Sequence, residues 1–298
     1  MENNMTRGGE FLLKETPAKN VFTPEDFSEE QLMMKEAVVD FSNREIWPQK
    51  PRLEKKDYDL TLEIMRKIGD LGFLGVSVPE AYGGLGMSFV STMLVCEYIS
   101  GSSGSISTAF GAHTGIGTMP IVLYGTEEQK KTFLPKMVSG QWTGTMNLTE
   151  PHCGTDLGLL KTKAVPQTDG SYKITGQKIF ISAGEHDMSE NIIHLCLARI
   201  EGAPEGVKGI SLFIVPKFKL DEKGEVGPKN AVSCGAIEHK MGINGNATCV
   251  MNYDEADGYL VGEADKGLRV MFVMMNRARL DVGMQGLAQS DVAYQNAV

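Results

Sequence analysis

The chain has 298 residues, about twice the ~150 of a typical domain, so two domains or one large one is expected. Hydrophobic residues at 42% and charged residues at 22% exclude a disordered tail, a collagen-like repeat and a coiled coil. Lys and Arg number 29 against 38 Asp and Glu, and the net charge of −9 disfavours binding nucleic acid or an anionic membrane through bulk charge, while leaving room for a local basic patch.

The longest apolar run, Val270 to Met275, falls far short of the ~18 residues that span a bilayer, so no integral membrane segment is expected. The opening MENNMTRGGEFLLKE lacks a basic start followed by an apolar core, and no signal peptide is expected. Cys96, Cys153, Cys196, Cys234 and Cys249 are odd in number and scattered singly. None forms a C-x-x-C pair and no two histidines stand at i, i+4, so neither a disulfide framework nor a metal site is expected. Single thiols of this kind suit a reducing, cytoplasmic setting.

Residues 1 to about 25 mix charge, Gly and Pro without a period and read as an arm. Ser28 with Gln31 forms a capping-box pattern ahead of Met34, Val38 and Phe41 at helical spacing, and Pro48 and Pro51 are expected to end that helix. A second helix starts near Leu60, with Ile64, Ile68 and Leu71 on one stripe and Gly72 near its end. Residues 78–88 read as a turn-rich loop. A further apolar segment through Met93, Leu94 and Tyr98 is expected to stop at the GSSGS cluster. Thr126 with Gln129 opens another helix, which Pro135 shortens or kinks.

The character changes near residue 143. SYKITGQKIFIS, IIHLCLARI and GISLFIVPKF alternate with period two between Gly, Pro and Asp turns, which predicts several strands in a small β-barrel or sandwich. The helical period returns after Gly262, with Leu268, Met271, Phe272, Met275, Arg279 and Val282 on one stripe. The expected class is therefore α+β and multi-domain: helical over 1–142, β over 143–262, and a final helical unit over 263–298. There is no internal repeat.

Neither a G-x-G-x-x-G after a strand nor a P-loop nor a G-x-S-x-G elbow occurs. MNLTEPHCGTDLG (146–158) would expose backbone N–H groups and the hydroxyls of Thr149 and Thr155, which suits an electron-rich ring edge or a pyrophosphate. By spacing alone an ordinary loop with Asx and Ser/Thr turns is the better reading. In GQKIFISAG (176–184), Phe180 and Ser182 share a strand face and could flank a planar cofactor, although such a pair is more often simply one face of a strand.

In this order, PEAYGGLG (79–86), YGTEEQKKTFLPKMVSG (124–140), LTEPHCGTDLG (148–158), GYLVGEADKGL (258–268) and NRARLDVGMQGLA (276–288) together resemble the acyl-CoA dehydrogenase family, along nearly the whole chain. TEPHCGTD and the stretch KFKLDEKGEVGPKNAVSCGAIEHK are similar to its larger members. The resemblance implies an N-terminal helical domain, a middle β-barrel and the first helix of a C-terminal four-helix domain, with FAD between the barrel and the C-terminal helices. It implies an acyl-CoA substrate, an electron acceptor such as an electron-transfer flavoprotein, and a homo-oligomer. A glutamate would remove the α-proton of the thioester while the β-hydrogen leaves as hydride to flavin N5. By motif position, Met146, Leu148 and Thr149 line the flavin's pyrimidine edge, and Gly154 and Thr155 contact the cofactor, Thr155 also the CoA phosphates. Phe180 stands where the family has tryptophan beside the ring. Ile181 follows it, and Ser182 replaces the threonine that meets N5. Asn276 and Arg279 would hold the pantetheine region, although a structural ion pair is the plain alternative for Arg279. The base of most members would lie beyond residue 298, and the alternative position for it is Ala278. Asp281, two residues past Arg279, would point elsewhere on the helix. The chain is therefore expected to be an N-terminal portion, inactive alone, its last helix exposing an apolar stripe that has lost its bundle partners. A non-catalytic relative acting as a scaffold, and an acyl-CoA oxidase or flavin monooxygenase, share the fold and stay open at this point.

Overall fold

Ser28 starts the first helix as its spacing requires. The Ser28 hydroxyl accepts from the Gln31 N–H at 3.2 Å, and the Gln31 side chain accepts from the Ser28 N–H at 3.0 Å. In the computed structural model, which describes residue 6 and residues 9–298, this helix is α1 (Glu29–Phe41), burying Met34, Val38 and Phe41. The first residues of the expected arm, 1–5, 7 and 8, lie outside the described residues, and its remainder forms short 3-10 turns with no buried side chain.

Pro48 and Pro51 do not end the helical path. A π turn (Ser42–Ile46) and a 3-10 turn (Trp47–Gln49) lead into α2 (Lys50–Glu54), and each proline sits in a first turn, where a helix does not need its N–H. The Asp57 side chain caps α3 (Tyr58–Asp70), and Gly72 ends it in the left-handed region at φ 75°. The helix α4 (Phe89–Ser102) runs into the GSSGS cluster, and α5 (Gly104–Gly111) resumes after Ser103, whose hydroxyl caps it. The cluster is thus a helix junction in the core, not a loop. After a second π turn (Ala112–Thr118) come α6 (Met119–Tyr124) and α7 (Glu127–Val138). Pro135 lies inside α7 without ending it.

Nine strands follow: β1 (Trp142–Asn147), β2 (Lys163–Pro166), β3 (Tyr172–Ser182), β4 (Asn191–Ile200), β5 (Ile210–Pro216), β6 (Phe218–Leu220), β7 (Val226–Lys229), β8 (Val232–Ile237) and β9 (Thr248–Val261). Pairings β4–β2, β2–β3, β3–β9, β9–β5 and β5–β4 close a circuit, so the middle of the chain is a barrel. Strand β1 lies parallel to β4 outside that circuit, and β8 beside β9. Almost all of β4 and β5 is buried, which explains their near-continuous apolar sequences. One face fills the barrel, and Leu195, Leu197, Leu212 and Ile214 on the other pack with the helices.

Two contacts set the helices against the barrel. At Gly117 an added Cβ would lie 2.3 Å from the Gly144 carbonyl carbon, so only glycine lets the second π turn meet β1 there. Beside them His113 is buried: its Nδ1 accepts from the Gly144 N–H at 3.0 Å, and its Nε2 faces the Met137 carbonyl at 2.8 Å. This network assigns a neutral ring with the proton on Nε2. The last helix, α8 (Gly267–Ala297), starts with Gly267 against the Ser211–Leu212 backbone and runs on to α4, where an added Cβ on Gly101 would touch Val292. Its buried residues are Gly267, Val270, Met271, Met274 and Ala288. The stripe expected from sequence is therefore rotated by about one residue. Met271 is in the core, Leu268 and Met275 pack against it, and Phe272 and Val282 are exposed. Of the face expected to have lost its partners, Leu268, Met271 and Met275 pack on the core, while Phe272 is exposed and Leu280, Val282 and Leu287 leave further apolar surface of α8 open. Among the described residues no helix is long and apolar enough to cross a membrane.

Burial, opposed only by the Met137 carbonyl, lowers the His113 pKa to about 4. The unfolded ring binds its proton near pH 6.5, so its contribution to stability is present above that pH and is lost as pH falls towards 4. The loss amounts to roughly 3 kcal/mol. Denaturant unfolding of His113→Phe should show lower stability at neutral pH and a shallower fall between pH ~6.5 and ~4. An unchanged slope would show that His113 does not carry this dependence.

Candidate functional site

The loop after β1 is fixed by one carboxylate. Glu150 is buried and accepts from Lys178 Nζ at 2.9 Å, Thr162 Oγ1 at 2.5 Å, and the N–H groups of Lys161 and Thr162 at 2.8 and 3.0 Å. Burial on its own would raise the Glu150 pKa, but the Lys178 charge and these donors outweigh it and hold the carboxyl below its ordinary value. Lys178, wholly buried on β3, also donates to the Leu148 carbonyl at 3.1 Å, and the Ile179 N–H donates to the Thr149 carbonyl at 2.9 Å. Loop 148–150 and β3 are thereby laced together. Glu150, His152 and Cys153 stand close enough to share a metal ion, but both oxygens of Glu150 accept hydrogen bonds in this network, and its ion pair is with Lys178.

Immediately past the clamp, β3 bulges. Ile179 and Phe180 together oppose the single residue between Met251 and Cys249 on β9, and Phe180 adopts φ 60°. A left-handed backbone at a residue with a side chain costs about 1–2 kcal/mol. The bulge turns the Phe180 ring outward, 61% exposed, while Ile181 stays in the barrel core. Ser182 is half-buried, and its carbonyl accepts from Thr145 Oγ1 of β1 at 2.6 Å. Among the described residues the hydroxyls of Thr149 and Ser182 have no hydrogen-bond partner. An added Cβ on Gly154 would stand 3.0 Å from Thr149 Cγ2, so glycine there leaves the Thr149 side chain its place. Met146 is buried in the core, Leu148 is half-buried and Thr155 is exposed. The segments 146–149, 154–155 and 180–182 thus meet at one end of the barrel.

Ser182 also lines a cleft of about 260 Å³ with Ala112 and Ile116 of the π turn and Met275, Ala278 and Asp281 of α8. Asn276 and Arg279 are on the outer side of α8, both exposed, with Arg279 Nη1 donating to Asn276 Oδ1 at 2.8 Å. The expected place of Arg279 on a buried stripe is thus corrected: the rotation of α8 turns it to solvent. The charged residues turned inward are Arg277, which the sequence reading did not single out, and Asp281, which it set aside as pointing elsewhere on the helix. The Arg277 guanidinium lies 5.4 Å from the Phe89 ring, and burial pushes the Asp281 carboxyl up to about 6 against the opposing pull of Arg277. Spacings of three and four from Met274 (277, 278, 281, 285 and 288) were the available signal.

Removing one partner of the clamp leaves an unpaired buried charge. Lys178→Met should destabilise the chain by about 3–5 kcal/mol, and a Lys178→Met/Glu150→Leu double variant should recover part of that loss in urea unfolding. A single variant within ~0.5 kcal/mol of the parent would contradict the clamp.

The comparisons fit this geometry. The acyl-CoA dehydrogenase N-terminal domain matches residues 28–141 and the acyl-CoA dehydrogenase middle domain residues 145–256. The chain is 47% identical over 77% of its length to 3-methylmercaptopropionyl-CoA dehydrogenase of Ruegeria pomeroyi, and that alignment spans 39% of the relative. It is 34% identical to an acyl-CoA dehydrogenase of Bacillus subtilis, covering 91% of this chain and 68% of that one. Among solved structures, an acyl-CoA dehydrogenase of Bacillus anthracis complexed with FAD superposes with a TM-score of 0.82 at 34% identity, over 95% of this chain and 46% of that one. The chain thus spans less than half of several relatives that it matches. It belongs to the acyl-CoA dehydrogenase family.

Proposed function

We propose that this chain forms the flavin-side wall of an FAD-dependent acyl-CoA dehydrogenase that oxidises the α,β-bond of an acyl-CoA thioester. The observation that carries the reading is the pair of hydroxyls, Thr149 and Ser182, free of partners among the described residues, on the two segments joined beside the exposed Phe180, with Ser182 lining the cleft between the barrel and α8. A planar ring with polar edges fits such a wall: aromatic surface for its face, donors for its rim. FAD, when bound, would supply the hydride acceptor.

The residues of the chain would do the rest by position. Thr149 and Ser182 would donate to the ring rim, where negative charge grows during reduction, and donors already fixed in place need no reorganisation. The Leu148 and Thr149 carbonyls are held by Lys178 and the Ile179 N–H, so the loop's donor side is turned away from β3. Phe180 would pack against the ring without the indole N–H of the family's tryptophan. Ile116, Met275 and Ala278 would keep water from the reacting carbons. Ala278 cannot take a proton, and the base is proposed to lie outside these residues. Gly154 and Thr155 are proposed cofactor contacts, with Thr155, Asn276 and Arg279 toward CoA. An electron-transfer flavoprotein as acceptor, a homo-oligomeric whole and a cytoplasmic setting belong to the same proposal.

Each lost donor to a polarised group should cost roughly 1–3 kcal/mol. Titrating FAD by fluorescence, Thr149→Val and Ser182→Ala should each bind about 5- to 100-fold more weakly, with circular dichroism unchanged. Unchanged affinity in both would dispose of the assignment.

A further inference from the structure

At the end of the cleft formed by α4 and α5 the wall turns polar, with Cys96, Ser107, Thr108, Asp281 and Gln285. Nearly all of these groups are committed. Ser107 Oγ lies 2.7 Å from Ser100 Oγ and accepts from Gln285 Nε2 at 3.1 Å. Thr108 Oγ1 donates to the Gly104 carbonyl at 2.9 Å, and Cys96 Sγ reaches the Asp281 carbonyl at 3.6 Å. The exception is Asp281, whose Oδ1 is buried with no hydrogen-bond partner among the described residues. Room for this carboxylate is kept by Gly115, where an added Cβ would stand 3.0 Å from Asp281 Oδ2.

Asp281 also separates the cleft from a second cavity lined by Phe73, Phe89, Phe110, Met119 and Arg277. Arg277 and Asp281 are the only charged side chains lining either cavity among the described residues. They form no ion pair: Arg277 instead lies over Phe89 and reaches Met119 Sδ at 3.8 Å. Cys96 of α4, its thiol pushed up to about 11 by burial, is neutral. The free oxygen therefore has no protein cation in contact. It is also set apart from the Ser182 end, since Asp281 is about 4.5 Å further along the axis of α8 than Ala278.

Resting on the acyl-CoA reading, we infer that Asp281 receives the far end of the acyl group, and that the cleft selects acyl-CoA thioesters whose chain ends in a hydrogen-bond donor. A methyl end would cover the cleft-facing part of this carboxylate and give it nothing in return, whereas a terminal hydroxyl donates to it. With a pKa raised to about 6 by burial, the carboxyl is still largely an ionised acceptor at neutral pH. The preference for a donor should therefore fade as pH falls below that value.

The test is calorimetric binding of ω-hydroxyacyl-CoAs and their isosteric acyl-CoAs, hydroxyl against methyl, from butyryl to octanoyl. In the chain as it stands, the hydroxy thioester of the best-fitting length should bind roughly ten- to a hundred-fold more tightly than its methyl isostere at pH 7.5, and the ratio should shrink at pH 5. Asp281→Leu should reverse the order, and Asp281→Asn, which keeps the shape, should abolish the pH dependence. A tighter methyl isostere in the parent chain, or a ratio untouched by either variant, would overturn the inference. Binding of both isosteres alike would overturn it and leave the acyl-CoA reading standing. Binding of neither would overturn the acyl-CoA reading, and this inference with it.

Discussion

The arrangement of the site depends on a carboxylate and an ammonium buried together. Lys178 and Glu150 are each almost wholly out of water, and every side-chain polar atom of the pair is engaged by the other, by Thr162, or by the backbone of Leu148, Lys161 and Thr162. Such a pair is no guarantee of net stability, because desolvation offsets much of its Coulombic gain. What it does here is geometric. It permits one register between the loop after β1 and the end of β3, and so fixes the neighbours of Lys178 and Glu150 in sequence: Thr149 on one side, Phe180 and Ser182 on the other. The strained Phe180 backbone persists because the ladder before it and the core residue Ile181 after it leave no alternative.

The cleft is made by contacts that need absent side chains. Gly117 on Gly144 brings the π turn onto β1, and Gly267 on Ser211 and Leu212 seats α8 on β5. These approaches bring Ala112 and Ile116 of the π turn and Met275 and Ala278 of α8 to a cleft that Ser182 also lines. His113 locks the first approach with a hydrogen bond at each ring nitrogen, which ties it to a single neutral tautomer. The walls of the cleft are thus helices and a strand and not loops, which would suit the flavin wall proposed above.

Much of this was legible in the sequence. The capping boxes at Ser28 and Thr126 start helices where expected, and the period-two segments form the barrel. The motif order pointed to the family that the comparisons bear out. What failed did so for identifiable reasons. Pro48 and Pro51 were expected to break a helix, but a proline in a first turn sacrifices no hydrogen bond, and the chain restarts around each. The outward turn of Phe180 comes from a bulge whose extra residue is defined only by the partner strand, β9. The phase of α8 was misjudged because Phe272 and Val282 look like core residues. The helix is instead oriented at its start by the backbone contact of Gly267, which no hydrophobic pattern encodes. That shift of about one residue turns Arg279 outward and Asp281 inward, and it changes which charge a ligand in the cleft would meet.

The most direct test of the clamp is native-state hydrogen exchange at the amides it engages. The N–H groups of Lys161, Thr162 and Ile179 donate to the Glu150 carboxylate or across to Thr149. If the buried pair holds loop and strand as one unit, these three amides should open together in the parent chain with a single free energy. In Glu150→Gln they should lose protection together, while amides of the β4–β5 ladder keep theirs. Independent opening of the three amides, or protection unchanged in Glu150→Gln, would show that the site is held by something other than this pair.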